Sequence, residues 1–243
     1  MTAGEILAAI EALPIRDLDG ILAPGPLMVL APHPDDESIG CGGLIALATD
    51  RGREVHVLVL TDGTGSHPKS PSTPHARLRA MREAEARDAV ALLGVTPERL
   101  RFLGQPDARA PHDGAAFDVM AATIGGLVRQ HHIATILTTW RHDPHCDHEA
   151  AAKLADAVAR GTGITHVAFP VWGWTLPAHQ LLAEPPPHGA RLDISAVLPT
   201  KRRAIAAHVS QTTALISDSP YGFQLPAKFL ALFDRPWEAF IAP

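Results

Sequence analysis

Only two cysteines occur in the 243-residue chain, Cys41 and Cys146. Two are too few for a disulfide framework and lack the paired spacing of a structural zinc module, so both read as reduced thiols. Positive charge is not in excess: 21 Lys and Arg against 26 Asp and Glu give a formal net charge of −5, which offers no basic field to nucleic acid or an anionic membrane. No stretch approaches the roughly 18 apolar residues of a membrane span. The N-terminal "MTAGEILAAIEALPIRDLDG" interrupts its apolar residues with Glu5, Glu11, Arg16 and Asp17, so it reads as a surface helix and not as a signal peptide. A glycine-rich phosphate loop is also missing, which disfavours phosphoester hydrolysis. These gaps lead to the expectation of a cytoplasmic protein with no membrane span and no nucleic-acid partner, with assembly into a homo-oligomer left open.

What is present is apolar character, 46% of residues, sufficient for a substantial core in a single domain over residues 1–243. The runs "PLMVLA" (26–31), "EVHVLVL" (54–60), "LRFLG" (100–104), "ATILTTW" (134–140) and "ITHVAFP" (164–170) have the branched-apolar character of strands buried on both faces. Between them, "GGLIALATDRG", "RLRAMREAEARDAVALLG", "FDVMAATIGGLVRQHH" and "HEAAAKLADAVARG" place apolar residues at helical spacing. Strand alternating with helix predicts βαβ units, hence an α/β fold whose mostly parallel sheet is covered by helices. Segments 61–76, 105–114 and 182–190, rich in Pro, Gly, Ser and His, are read as functional loops. The first two follow strands and so lie at the carboxyl edge of the sheet, where ligands bind in open α/β folds.

Fourteen histidines are the unusual supply, since imidazole is the commonest metal ligand and acid–base group near neutrality. In "APHPDDE" (31–37), His33 and Asp36 are three apart with Pro34 fixing one backbone angle between them. A tight turn can aim both at one point, with Asp35 beside them. A plainer reading makes Asp35 or Asp36 a helix cap and His33 a polar turn residue. The second motif, "RHDPHCDHEAAA" (141–152), changes the balance, because it too joins a strand to a helix and brings His142, Asp143, His145, Asp147 and His148 to the same sheet edge. Capping by Asp147 does not account for His145 and His148. His33, Asp36 and His148 can supply the three ligands of a catalytic zinc, with a fourth position open to water or a substrate oxygen. Asp35, His145 and Asp147 remain for proton transfer and oxyanion support in metal-assisted hydrolysis.

With "PHPDDE" at 32–37 and "HCDH" at 145–148, the sequence resembles the PIG-L/LmbE-like family of zinc-dependent deacetylases, which remove acetyl from N-acetylglucosamine units of glycoconjugates. The likeness extends to "TDG" at 61–63, to Arg82, Glu85, Ala89, Leu93 and Gly94 in the next helix, and to "KRRAIAAHVSQ" at 201–211. The resemblance implies a Rossmann-like three-layer fold and a zinc ion, or another divalent ion such as Fe2+, held by His33, Asp36 and His148. It further implies Asp35 as general base on the attacking water, and His145, oriented by Asp147, as oxyanion stabiliser or proton donor to the departing amine. Arg82 would reach the substrate pocket, although pairing with Glu85 is an equal alternative. Cys146 stands where the family usually has proline, and Cys41 in "GCGG" reads as a packing residue. Trp172 and Trp174, in "FPVWGWTLP" (169–177), offer faces that can stack on a sugar, with Trp172 taken as the binding residue.

The expected activity is hydrolytic removal of acetyl from an N-acetylglucosamine-type unit of a small glycoconjugate. One alternative is the same chemistry on another amide, such as a thiol–sugar conjugate. Another is a non-catalytic metal- or ligand-binding homologue, which the retained Asp35, His145 and Asp147 disfavour. Glu37, His208 and Gln211 are left without an assigned chemistry.

Overall fold

The five apolar runs form the core strands of one eight-stranded sheet, in a computed structural model that describes residues 1–242. Helix α1 (Ala3–Glu11) and the two-residue β1 (Ile15–Arg16) precede β2 (Leu27–Ala31), α2 (Asp36–Asp50), β3 (Val55–Thr61) and α3 (His75–Leu92). Then come β4 (Leu100–Gln105), α4 (Gly114–Gln130), β5 (Thr135–Thr139), α5 (Cys146–Thr162) and β6 (Thr165–Phe169). The chain ends with β7 (Gly189–Asp193), α6 (Leu198–Ala207), α7 (Val209–Thr212), α8 (Ala227–Leu230) and β8 (Trp237–Ile241). Strand order is β1-β7-β8-β6-β5-β2-β3-β4. Strands β2 to β6 run parallel, whereas β8 is antiparallel to both β6 and β7.

Alternate residues of the central strands feed two cores, as a pleated strand covered on both faces requires. Leu27, Val29, Val57 and Val59 face a layer that includes Leu44 and Ile45 of α2, with Ala89 and Val90 of α3. Met28, Leu30, Leu58 and Ile136 face Ile124 and Leu127 of α4, with Leu154 and Ala155 of α5. This is the expected three-layer arrangement. No helix among the described residues is long and apolar enough to cross a membrane.

Helix α2 is really two pieces. Cys41 departs from helical geometry (φ −140°, ψ 22°), and Glu238 of β8 reaches in to accept the freed N–H groups of Gly43 (2.7 Å) and Leu44 (2.8 Å). Lys201 donates to the same carboxylate at 2.7 Å, so the buried charge is paired as well as hydrogen-bonded. The small residues around Cys41 have a steric reason. A Cβ on Gly40 would lie 2.3 Å from the Phe169 ring, and one on Gly43 would lie 2.6 Å from Ile194.

Register sets the site. Leu30 of β2 is level with Leu58 of β3 and Thr138 of β5, so both histidine-bearing turns emerge at one carboxyl edge. Strand β2 lies between β3, which follows it, and β5, which the chain reaches only after β4. That reversal of strand order is the crevice where open α/β sheets take ligands.

Candidate metal centre

His33 Nδ1, Asp36 Oδ2 and His148 Nε2 meet at the mouth of this crevice. The three separations are 3.2 Å for His33 to Asp36, 3.2 Å for His148 to Asp36 and 3.3 Å for His148 to His33. Ligands about 2.0–2.1 Å from a tetrahedral zinc stand roughly 3.3–3.4 Å apart. The trio therefore fits one face of such a coordination shell, and His33 and Asp36 also line the adjoining cavity.

Each histidine has a carboxylate behind it. Asp143, fully buried, lies 3.0 Å from His148 Nδ1 and accepts the N–H groups of Val171, Trp172 and Gly173. Those bonds hold the carboxylate so that Nδ1 carries the ring proton and Nε2 presents its lone pair to the trio. A Cβ on Gly173 would sit 2.6 Å from this carboxylate. Asp147 Oδ2 lies 3.1 Å from His33 Nε2, and its two oxygens also accept Ala108 N–H (2.7 Å) and Ala110 N–H (3.0 Å). Asp107, from the segment after β4, comes within 3.4 Å of the same His33 nitrogen while accepting Gly65 N–H at 2.8 Å. Two further donor groups overlap the trio: the ring nitrogens of His33, His145 and His148, and those of His33 and His145 with carboxylate oxygens of Asp107 and Asp147. The backbone bonds already occupying Asp107 and Asp147 assign those carboxylates to holding His33.

This differs from the pairing expected from the sequence. Asp147 touches His145 only through its backbone, its N–H donating to His145 Nδ1 at 3.2 Å. Residue 145 is thus the cap of α5, which removes Asp147 from that role. An acceptor Nδ1 leaves the ring proton of His145 on Nε2, and the imidazole lines the cavity.

Asp35 lies beside the trio with Oδ2 3.1 Å from Arg82. Burial pushes its carboxyl up to about 6, Arg82 opposes that shift, and Asp36 adds to it. For Asp36, burial works upward but His148 and His33 overcome it and hold the carboxyl well below the usual range. Burial also works against the charged form of His148, yet Asp36 and Asp143 raise it to about 9. His145 is lowered by burial and by the neighbouring His33 and His148.

Arg82 is only 3% exposed. It donates to Gly63 O (2.6 Å) and Pro34 O (3.0 Å) as well as to Asp35. Its guanidinium clamps two turns together and lines the cavity, as expected, and Glu85 is engaged elsewhere, by Ser210 N–H and Oγ. The "TDG" stretch serves the same convergence. Thr61 bonds Pro32 O, Asp62 accepts Thr64 and Asp107 N–H, and Gly63 (φ +65°) would place a Cβ 2.5 Å from Arg82. Glu37 accepts Asp35 N–H at 3.1 Å and faces the buried His208 at 3.3 Å, so it braces the turn.

Trp172 lines the cavity with one face stacked on Phe229, ring centres 3.9 Å apart. Trp174 packs edge-on against Trp237 instead. His142 pairs with Glu184 from the 182–190 loop, away from the trio. Asp107 and the role of Asp143 escaped sequence reasoning. For Asp143, a carboxylate five residues before a ligand histidine was the available signal.

The family model PIG-L: GlcNAc-PI de-N-acetylase matches residues 28–159. The chain is 29% identical over 197 residues to the probable N-acetyl-alpha-D-glucosaminyl L-malate deacetylase 2 of Bacillus cereus, covering 79% of this chain and 86% of that protein. It is 28% identical over 251 residues to the 1D-myo-inositol 2-acetamido-2-deoxy-alpha-D-glucopyranoside deacetylase of Rhodococcus jostii, covering 80% and 84%. Among solved structures, N,N'-diacetylchitobiose deacetylase from Pyrococcus horikoshii superposes with a TM-score of 0.66 at 22% identity, over 90% of this chain and 84% of that one.

Proposed function

This chain belongs to the PIG-L (GlcNAc-PI de-N-acetylase) family, and on that premise we propose that it hydrolyses the acetamide of an N-acetylglucosamine unit in a small glycoconjugate, releasing acetate and the free amine. The observation that carries the reading is the trio His33, Asp36 and His148, with donor atoms 3.2–3.3 Å apart, beside a cavity lined by Asp35 and His145.

The three residues would hold a divalent ion. Two imidazoles and one carboxylate suit zinc, and the same set also suits Fe2+. When bound, the ion polarises the amide carbonyl and acidifies water. Asp35, poised near neutrality, takes a proton from the attacking water. Arg82 keeps that carboxylate ionised and aimed. His145 presents Nε2–H to the carbonyl oxygen as negative charge develops there. Glu37 and Asp143 stabilise the turns that carry these groups. The proton that Asp35 took from the water passes to the departing nitrogen, which closes the balance: one water is added, the C–N bond breaks, and acid and amine leave.

The test is a panel of N-acetylglucosaminides assayed for free amine with the protein as purified, after chelation and after addition of zinc or ferrous ion. Release that disappears on chelation and returns with one equivalent of metal supports the reading. Full activity in metal-free protein overturns it.

A further inference from the structure

The segment "KRRAIAAHVSQ" (201–211) ends on a glutamine that lines the cavity beside the trio. Gln211 is 1% exposed, and its backbone is held from both sides. Its N–H donates to His208 O at 3.0 Å, and its carbonyl accepts Leu225 N–H at 2.8 Å. The side-chain nitrogen Nε2 lies 2.9 Å from Ser210 Oγ and 3.3 Å from Ser66 Oγ.

Those two hydroxyls settle which end of the amide is which. Ser210 directs its proton to Glu85 Oε2 at 2.6 Å, while its N–H donates to Oε1 of the same carboxylate at 2.7 Å. Ser66 directs its proton to Gly63 O at 3.2 Å. A hydroxyl has one proton to give, so toward Gln211 both oxygens can only accept. An amide turned the other way would set its carbonyl against two oxygens with no proton to offer. Both protons of Nε2 are thereby used, and Oε1 is left over. That oxygen finds no partner among the described residues, nor is it one of the side-chain atoms sealed from solvent without a partner. On a residue that lines the cavity, it is an acceptor open to whatever fills that space.

Gln211 makes no hydrogen bond to the trio or to Asp35. Its link to them runs through Ser66 and the carbonyl of Gly63, which Ser66 shares with Arg82, the partner of Asp35. The acetamide under attack must lie against the trio and Asp35. An acceptor one layer out therefore meets the adjoining part of the substrate, the sugar, whose hydroxyls are its donors. We propose that Gln211 Oε1 accepts a hydrogen bond from a hydroxyl of the amino sugar and so determines specificity for it. The inference rests on the deacetylase reading and deepens it by one named contact. A buried acceptor left unpaired is costly, so a substrate lacking that hydroxyl is rejected.

The test uses metal-loaded protein, as parent and as Gln211→Met, which keeps the reach of the side chain without the acceptor. The substrates are methyl N-acetylglucosaminide, its 3-, 4- and 6-deoxy analogues, and the 2-O-acetyl glucoside, an ester that has no N–H. In the parent, kcat/KM for one deoxy analogue falls at least about 30-fold, mainly through KM. In Gln211→Met the ratio between the two substrates shrinks to within about threefold. The ratio is taken within one preparation, so incomplete folding of the variant does not alter it. Calorimetric affinities of the same compounds give the ratio independently of turnover. Equal ratios in parent and variant for all three analogues overturn the contact, while amine release keeps the deacetylase reading. A loss in Gln211→Met shared by every deoxy analogue but absent with the ester gives the acceptor to the acetamide N–H and overturns the hydroxyl contact. Amine release from no compound, with the affinity ratio still lost in Gln211→Met, overturns the deacetylase reading and leaves the contact standing.

Discussion

Asp147 Oδ2 lies 3.1 Å from Nε2 of His33, on the side of the ring opposite the Nδ1 that meets Asp36 and His148. One carboxylate thus fixes the tautomer of a histidine 114 residues away, and Asp143 does the same for His148 from within its own turn.

Removing such support loosens the metal without emptying the trio. Asp143→Asn is expected to weaken metal affinity about 10- to 100-fold, measured by titration against a competing chelator. Activity at saturating metal should recover most of its value. Unchanged affinity would show that the Asp143–His148 bond does not orient the ligand.

Asp35→Asn should lower hydrolysis by about 10²- to 10⁴-fold while metal stoichiometry stays near that of the parent. Metal content and turnover measured on one preparation separate the two effects.

Arg82→Met deprives the Asp35 carboxyl of the charge that opposes its upward shift. The carboxylate form then begins only at higher pH, so the acidic limb of the kcat/KM profile moves upward. A limb that stays put or moves down would exclude Asp35 as the group titrating there.

Metal binding must displace protons from the His148 imidazole, raised to about 9 by Asp36 and Asp143 against the effect of burial, and from His33, also raised. Affinity therefore weakens as pH falls, by about tenfold per unit for each proton released. Calorimetry in buffers of different ionisation enthalpy counts those protons directly.

Away from the site, burial lowers His166 to about 4, and both of its ring nitrogens are buried without a partner. Its unfolded counterpart protonates near 6.5. Its contribution to stability is therefore present above about pH 6.5 and is lost as pH falls toward 4. Thermal unfolding of His166→Leu should lose less Tm between pH 7 and 5 than the parent.

Much of the architecture was legible because it is periodic. The five predicted strands correspond to β2 through β6, and the four predicted helices to α2 through α5. Strands β7 and β8 were not. β7 buries only Ala190 and Leu192 and follows a proline-rich loop, and β8 places Glu238 in the core, where its charge is matched by Lys201 and two backbone N–H groups. A five-residue strand with a buried acid carries no recognisable pattern by itself.

The sequence by itself determined the alternation of strand and helix, and with it the placing of His33, Asp36 and His148 on one sheet edge, because side-chain periodicity and strand-to-helix junctions are local properties. Only the tertiary structure decided that Asp147 stands behind His33 and not behind His145, that Arg82 turns inward to Asp35, and that Asp107 joins them. Those partners come from segments that follow four different strands, Arg82 and Asp147 from helices and Asp107 from a loop. Their meeting is set by sheet register and by backbone bonds such as Asp62 to Asp107 N–H, which leave no trace in residue spacing.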